Sequence, residues 1–327
     1  MKKLFIILSI VSIAAIAQNA IPKKKINPDF EAYYKFANQM HWAFYNNRYQ
    51  AVLQHYAELS KMSKPRFTEI EVFIKTNVKL GVLDEANKWI EYCIENFGMH
   101  PSIFYRNDYG ISEQTAKNMG FYSNAAHLLD LFYTSKKSKT ESIIEYLHRN
   151  DKLFRSQLEQ YKLNPCIDNK HDFAMSIANQ FDTIFAEKEL LKIIKEYNFP
   201  DEYDIGSSNV GNLLILLRHT FSFSSKQHRA ILDSALYQGK LQPEAYATIF
   251  DIIFNRVNSN NTLAQKDFGT VKEYKNGNAF LGYINDVEHV DERRKEICLM
   301  PLWMDAKING YNLSDQYLQT LKKQRDE

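Results

Sequence analysis

The chain has 327 residues, 45% hydrophobic and 13% aromatic, which is ample for buried cores in one or two domains and excludes a disordered polymer. Its 41 basic and 39 acidic residues leave a net charge of +2, so no whole-molecule electrostatic case exists for nucleic acid or an anionic membrane surface. Three cysteines, Cys93, Cys166 and Cys298, match no zinc spacing and allow one disulfide at most, which excludes a disulfide framework.

The first residues read as an export signal. Lys2-Lys3 precede an apolar run from Leu4 to Ala17, and Ala15-Ile16-Ala17 before Gln18 forms a small-x-small cleavage site. A membrane span needs roughly 20 apolar residues and this run is shorter. Cleavage after Ala17 is therefore expected, with the mature chain in the periplasm or outside the cell and no integral membrane segment left. Cleavage removes two lysines and no acids, so the mature protein is formally neutral. The basic runs Pro22-Lys23-Lys24-Lys25 and Ser135-Lys136-Lys137-Ser138-Lys139 have the character of solvated linkers, and no nucleic-acid partner is expected.

From Asp29 to Ser135 the apolar periodicity is helical, and it repeats. At a shift of 34 residues Asn47-Arg48-Tyr49-Gln50-Ala51-Val52 falls on Gly81-Val82-Leu83-Asp84-Glu85-Ala86, and after 39 more comes Gly120-Phe121-Tyr122-Ser123-Asn124-Ala125. A turn-forming residue, an apolar anchor two places on and Ala or Val five places on suit two antiparallel helices joined tightly. Thr68 with Glu71 predicts a capping box for a helix ending at Gly81. Ala86, Trp89, Ile90, Cys93 and Ile94 form one buried stripe of the next. The aromatics Tyr33, Tyr34, Phe36, Trp42, Phe44 and Tyr45 are expected in the core rather than in a ligand cage. The 34-residue period and Gly-x-Leu-Asp-Glu-Ala resemble tetratricopeptide repeats, over roughly residues 30–135. That resemblance implies a concave surface for a protein or peptide partner; a unit that packs only on the chain's own second half is the other reading.

Residues 134–140 lack apolar periodicity and mark the expected domain boundary, dividing a signal peptide (1–17) and a repeat domain (18–134) from a mostly helical domain (141–327). In the latter, Asp151 and Arg155 share one helix face. Asn198-Phe199-Pro200 stops a helix, and Ile205-Gly206 precedes an apolar helix that ends on Arg218-His219. Ser224 or Ser225 caps the next, and Pro243 opens one that closes on Asn255-Arg256-Val257. Asn276-Gly277 between short segments predicts a two-residue hairpin. The fold class is thus mainly α, with tetratricopeptide-like helix pairs and then a helical domain with one small β-hairpin.

The order Asp151/Arg155, Pro200, Ile205-Gly206, His219, Arg256-Val257, Gln265, Phe268-Gly269-Thr270, Val290-Asp291-Glu292-Arg293-Arg294 and Leu299 to Leu302 resembles an uncharacterised domain-of-unknown-function family of exported bacterial proteins. The resemblance spans roughly residues 141–308. The chain departs from that pattern at Lys152, Arg218, Asn255, Phe268, Val271 and Cys298. Losing a carboxylate and an amide from the presumed site favours a member that binds without turnover.

Convergence of Asp151, Arg155, His219, Arg256, Gln265 and Thr270 would make a polar pocket. His219 would act as general acid or base, Arg256 would hold an anion, and Asp151, Arg155, Gln265 and Thr270 would bind the ligand. The opposing reading has His219 capping its own helix and Arg256 pairing with a carboxylate. Asp286, Glu288, His289 and Asp291 have no metal-loop spacing. No metal or cofactor is expected, since the chain lacks a Gly-rich phosphate loop, His-Glu-x-x-His, Gly-x-Ser-x-Gly and paired-cysteine motifs. The expected role is a cell-envelope binding or scaffolding protein; the alternative is an envelope hydrolase or related enzyme using His219 and Arg256.

Overall fold

The computed structural model describes residues 28–105, 109–118, 120, 124–135, 137–163, 176–222, 225–257, 268–284 and 286–326. The export signal, the first lysine run, Cys166 and Gln265 fall outside them, as does the side chain of Arg256. The described chain is mainly α-helical with one two-stranded antiparallel sheet, as expected.

Helices α1 (Pro28–Tyr45) and α2 (Tyr49–Met62) form one pair, and α3 (Phe67–Lys79) and α4 (Leu83–Phe97) a second. The turn positions aligned by the repeat, Asn47, Gly81 and Gly120, all take positive φ, at 58°, 74° and 69°. In the first two turns the next amide closes on the carbonyl five residues back: Arg48 N donates to Ala43 O at 2.8 Å and Val82 N to Asn77 O at 2.9 Å. Glycine reaches this left-handed region without steric cost and Asn with little, which is why those residue types recur there. Five places on, Val52, Ala86 and Ala125 are all buried.

Helix α3 departs from expectation at its start. It opens at Phe67 rather than after Thr68, and Arg66 provides no side-chain cap. The Phe67 N–H donates instead to Glu202 Oε1, 2.9 Å away, while Thr68 Oγ1 donates to Glu69. A tertiary acceptor from 135 residues along the chain has replaced the local one. The aromatics of α1 divide likewise: Tyr33 and Tyr34 are core, but Tyr45 is 44% exposed, stacked on Trp42.

Short α5 (Glu113–Asn118) and α6 (Ala125–Thr134) lead into the long α7 (Lys137–Leu163). The break between α6 and α7 lies within residues 134–140, and one core runs across it. Phe30, Tyr33, Tyr34 and Ala37 of α1 pack in one cluster with Ile144 and Leu147 of α7 and with apolar residues between Leu190 and Cys298. The repeat helices keep a second cluster of their own, which reaches Tyr203.

A π-helical turn, Phe181–Ala186, runs straight into α8 (Glu187–Tyr197), which Asn198 ends at φ 50°. Asp201 and Asp204 make a reciprocal capping box around the single-turn α9 (Glu202–Ile205). Gly206 follows at φ 79°, where a Cβ would lie 2.9 Å from both Phe97 O and the Phe132 ring. Only glycine lets the start of α10 (Ser207–Thr220) tuck this closely against the repeat helices. Leu213, Leu216 and Leu217 bury the length of α10. Ser225 caps α11 (Lys226–Tyr237), and α12 (Pro243–Val257) begins on its proline. Strands β1 (Lys272–Lys275) and β2 (Asn278–Leu281) pair antiparallel around Asn276 and Gly277, whose φ values of 52° and 78° are those of a hairpin turn of the I′ type. Helices α13 (Val290–Glu296), α14 (Leu302–Asn309) and α15 (Asp315–Asp326) complete a third apolar cluster with the hairpin. Among the described residues no helix is long and apolar enough to cross a membrane.

Candidate functional site

Three of the expected polar residues meet. Asp151 and Arg155 lie one turn apart on α7, and His219 arrives in the last turn of α10. Arg155 Nε donates to Asp151 Oδ1 at 2.8 Å and lies 3.0 Å from His219 Nδ1, which is itself 3.0 and 3.1 Å from the two Asp151 oxygens. A fourth member went unread in the sequence. Asp182, in the π-helical turn, takes Arg155 Nη2 on both carboxylate oxygens at 2.8 and 3.0 Å. The stacked rings of Phe154 and Phe181, 5.0 Å apart, join the same two segments beside it.

The cluster is mostly withdrawn from solvent: side-chain exposure is 3% for Asp151, 11% for Asp182, 15% for His219 and 31% for Arg155. Burial pushes both carboxyls upward, and the balance then differs. For Asp151 the His219 hydrogen bond and charge, with Arg155, outweigh burial and hold it below the usual carboxylate range. For Asp182 burial wins over Arg155 and the carboxyl is raised. The difference follows from geometry, because Asp151 has two partners and Asp182 only the guanidinium among those described.

His219 does not cap its own helix. Its Nδ1 sits between an obligate donor, Arg155, and a carboxylate. A protonated Nδ1 donates to Asp151, whereas a bare Nδ1 would accept from Arg155 but turn its lone pair toward Asp151. The two carboxylates carry more charge than one guanidinium balances, so the Nδ1–H arrangement is electrostatically the better. Nε2 then has no hydrogen-bond partner among the described residues.

The remaining expected members are elsewhere or undescribed. Thr270 belongs to a second polar centre, in which the fully buried Asp251 of α12 accepts from Phe268 N at 3.0 Å, Thr270 N at 2.8 Å and Thr270 Oγ1 at 2.8 Å. Arg294 holds the same turn from the other side through Phe268 O. Thr270 is thus tied into a backbone clamp, with its hydroxyl committed to Asp251. Arg256 stands in the final turn of α12, with its side chain outside the described portion, and Gln265 lies outside it altogether. Cys93 and Cys298 are buried free thiols. Asp286 pairs with His289 and Arg293, while Asp291 accepts from Leu302 N and Tyr317 Oη. Among the described residues no three His, Cys, Asp or Glu side chains stand together to hold a metal.

The sequence marks Asp251 as the one acid inside the apolar run from Ile249 to Ile253. An acid inside an apolar helix must find partners or not be there. Asp182 carries no such signal, because its neighbours Phe181 and Thr183 set no helical register that would mark it as inward.

The chain was compared with protein-family models, curated proteins and solved structures, and no match was found.

Proposed function

We propose that this is an exported envelope protein that binds or scaffolds without turnover, and that the Asp151–Arg155–Asp182–His219 cluster is a latch fastening α7, the π-helical turn and α10. The observation that carries this is closure. One guanidinium is shared between two buried carboxylates and contacts the imidazole, leaving a ligand no free positive group in the cluster. The helix pairs, with their matched turns, supply the scaffold and a surface for a protein or peptide partner.

A double-mutant cycle tests the latch. His219→Ala is expected to cost about 1–2 kcal/mol of unfolding free energy, and Asp151→Asn a similar amount, with a coupling of about 1 kcal/mol between them. Denaturant unfolding of the four proteins measures it; strictly additive losses would remove the latch.

One observation favours the second reading, an envelope hydrolase. Asp151 orients His219 through Nδ1 and leaves Nε2 without a partner among the described residues, the arrangement a general base requires. That reading is adopted instead if His219→Ala abolishes a hydrolytic activity at unchanged stability. Export is tested on the protein recovered from cells: N-terminal sequencing is expected to begin at Gln18, and a mature chain beginning at Met1 in the cytosol would refute it.

A further inference from the structure

A cavity lined by convergent polar groups lies away from the latch, where the first repeat helices meet the carboxyl-terminal part. It holds about 170 Å³ between α1, α3, the start of α12 and α14. Its charged lining is His41, Glu69, Glu244, Arg294 and Asp305, and Tyr34 forms part of its wall.

Most of these charges already have partners. Arg294 is fully engaged, its Nε on Met300 O at 2.7 Å, one terminal nitrogen on Phe268 O and the other on Asp305 at 2.8 Å each. The Arg294–Asp305 pair is therefore neutral as a unit. Glu69 accepts from Tyr33 Oη and Thr68 Oγ1 at 3.0 Å each, and His41 Nε2 stands 3.7 Å away. Arg66, outside the cavity, acts on Glu69 but also faces the buried Glu202, whose carboxyl, raised to about 7, offsets it only once ionised above that pH. Two carboxylates remain over, Glu69 and Glu244, against at most one imidazole.

Among the described residues Glu244 has no hydrogen-bond or ion-pair partner. More than a third of its surface faces solvent, yet protein atoms crowd its carboxyl. That crowding, with the nearby charge of Asp305, raises it despite Lys272, Arg294 and His41. The second unpartnered group is Tyr34. It is 93% buried, 7% of its surface remaining exposed, and its hydroxyl meets no hydrogen-bond partner among the described residues. Buried hydroxyls are seldom left so.

We propose that this cavity binds a compact organic cation, an amine or guanidine small enough to fit between α1, α12 and α14 with its charge at Glu244 and Glu69. A cavity of about 150 Å³ holds benzene, so the ligand has about six to eight non-hydrogen atoms. The acceptor-rich, net-negative lining selects a cation over a neutral molecule of the same shape. The exposed flank of Glu244 gives it a way in.

The cavity shares no residue with the Asp151 cluster, so this proposal stands or fails apart from the latch. The experiment uses the mature full-length protein, with butylamine, ethanolamine and guanidine as cations and butanol, ethylene glycol and urea as neutral counterparts. Thermal shift and isothermal titration are run on wild type, Glu244→Gln and Tyr34→Phe, two near-isosteric changes. At least one cation is expected to raise the melting temperature and bind at least tenfold more tightly than its counterpart. Glu244→Gln is expected to lose that preference and Tyr34→Phe to weaken binding severalfold. Absence of binding by all three cations, equal binding of neutral partners, or unchanged affinity in Glu244→Gln would each overturn it.

Discussion

Arg294→Met is expected to lower the free energy of unfolding by about 3–5 kcal/mol, the cost of removing one partner from a buried charged pair. Arg294 is 1% exposed and is the largest fully buried side chain among the described residues. Its guanidinium makes three hydrogen bonds in three directions: to Met300 O beyond α13, to Phe268 O before the hairpin, and to Asp305 on α14. Methionine fills much of the same volume, so the loss is polar rather than steric. The buried Phe268 carbonyl, the partly buried Met300 carbonyl and a carboxylate with 14% side-chain exposure lose a donor. Arg294→Lys keeps the charge without the planar fork, reaches at most one or two of the three acceptors, and is expected to recover less than half of the loss. The double variant Arg294→Met/Asp305→Leu is expected to be less unstable than Arg294→Met alone, because the orphaned carboxylate is gone. Urea unfolding of the set decides it. A loss below about 1 kcal/mol for Arg294→Met would show that the clamp contributes little.

The clamp also explains what could be read from the chain and what could not. The local features were legible because short-range physics sets them. Asn276-Gly277 takes two positive φ values, Pro243 starts a helix, and Asn47, Gly81 and Gly120 share one turn geometry across the repeat. What stayed hidden depends on which helices face one another. The cap of α3 is Glu202 rather than a local side chain. Arg155 is shared with Asp182, an acid with no pattern around it. Thr270 looked like a ligand group because a Gly-Thr corner beside an apolar helix suits one; its true partner, Asp251, lies 19 residues back. Composition likewise could not show that one part of α1, from Phe30 to Ala37, is buried in a core shared with the second half.

Glu202 gives the protein a predicted pH dependence with a definite sign. It is 3% exposed, at the seam between the repeat helices and the rest, and accepts from the first amide of α3. Burial raises its carboxyl from the ordinary 4.5 to about 7. Arg66 and the Phe67 N–H pull against this without prevailing, and Glu69 and Asp201 add to the rise. The folded state therefore binds this proton more tightly than the unfolded chain. The stability it contributes is fully present below about pH 4.5, declines as pH rises through the folded value near 7, and is gone above it. Two and a half pH units correspond to about 3 kcal/mol at most. Glu202→Gln keeps an acceptor for Phe67 N–H and removes the titration. Its unfolding free energy is expected to match wild type near pH 4 and to exceed it progressively up to pH 8, by up to about 3 kcal/mol less whatever Arg66 forfeits with its anionic neighbour. Groups distant from Glu202 titrate alike in both proteins, so the difference between their stability curves reports Glu202 together with the neighbours coupled to it. A flat difference between pH 4 and 8, or one of opposite slope, would mean that Glu202 stays ionised in the folded protein. Arg66 and the α3 amide would then outweigh burial at the seam.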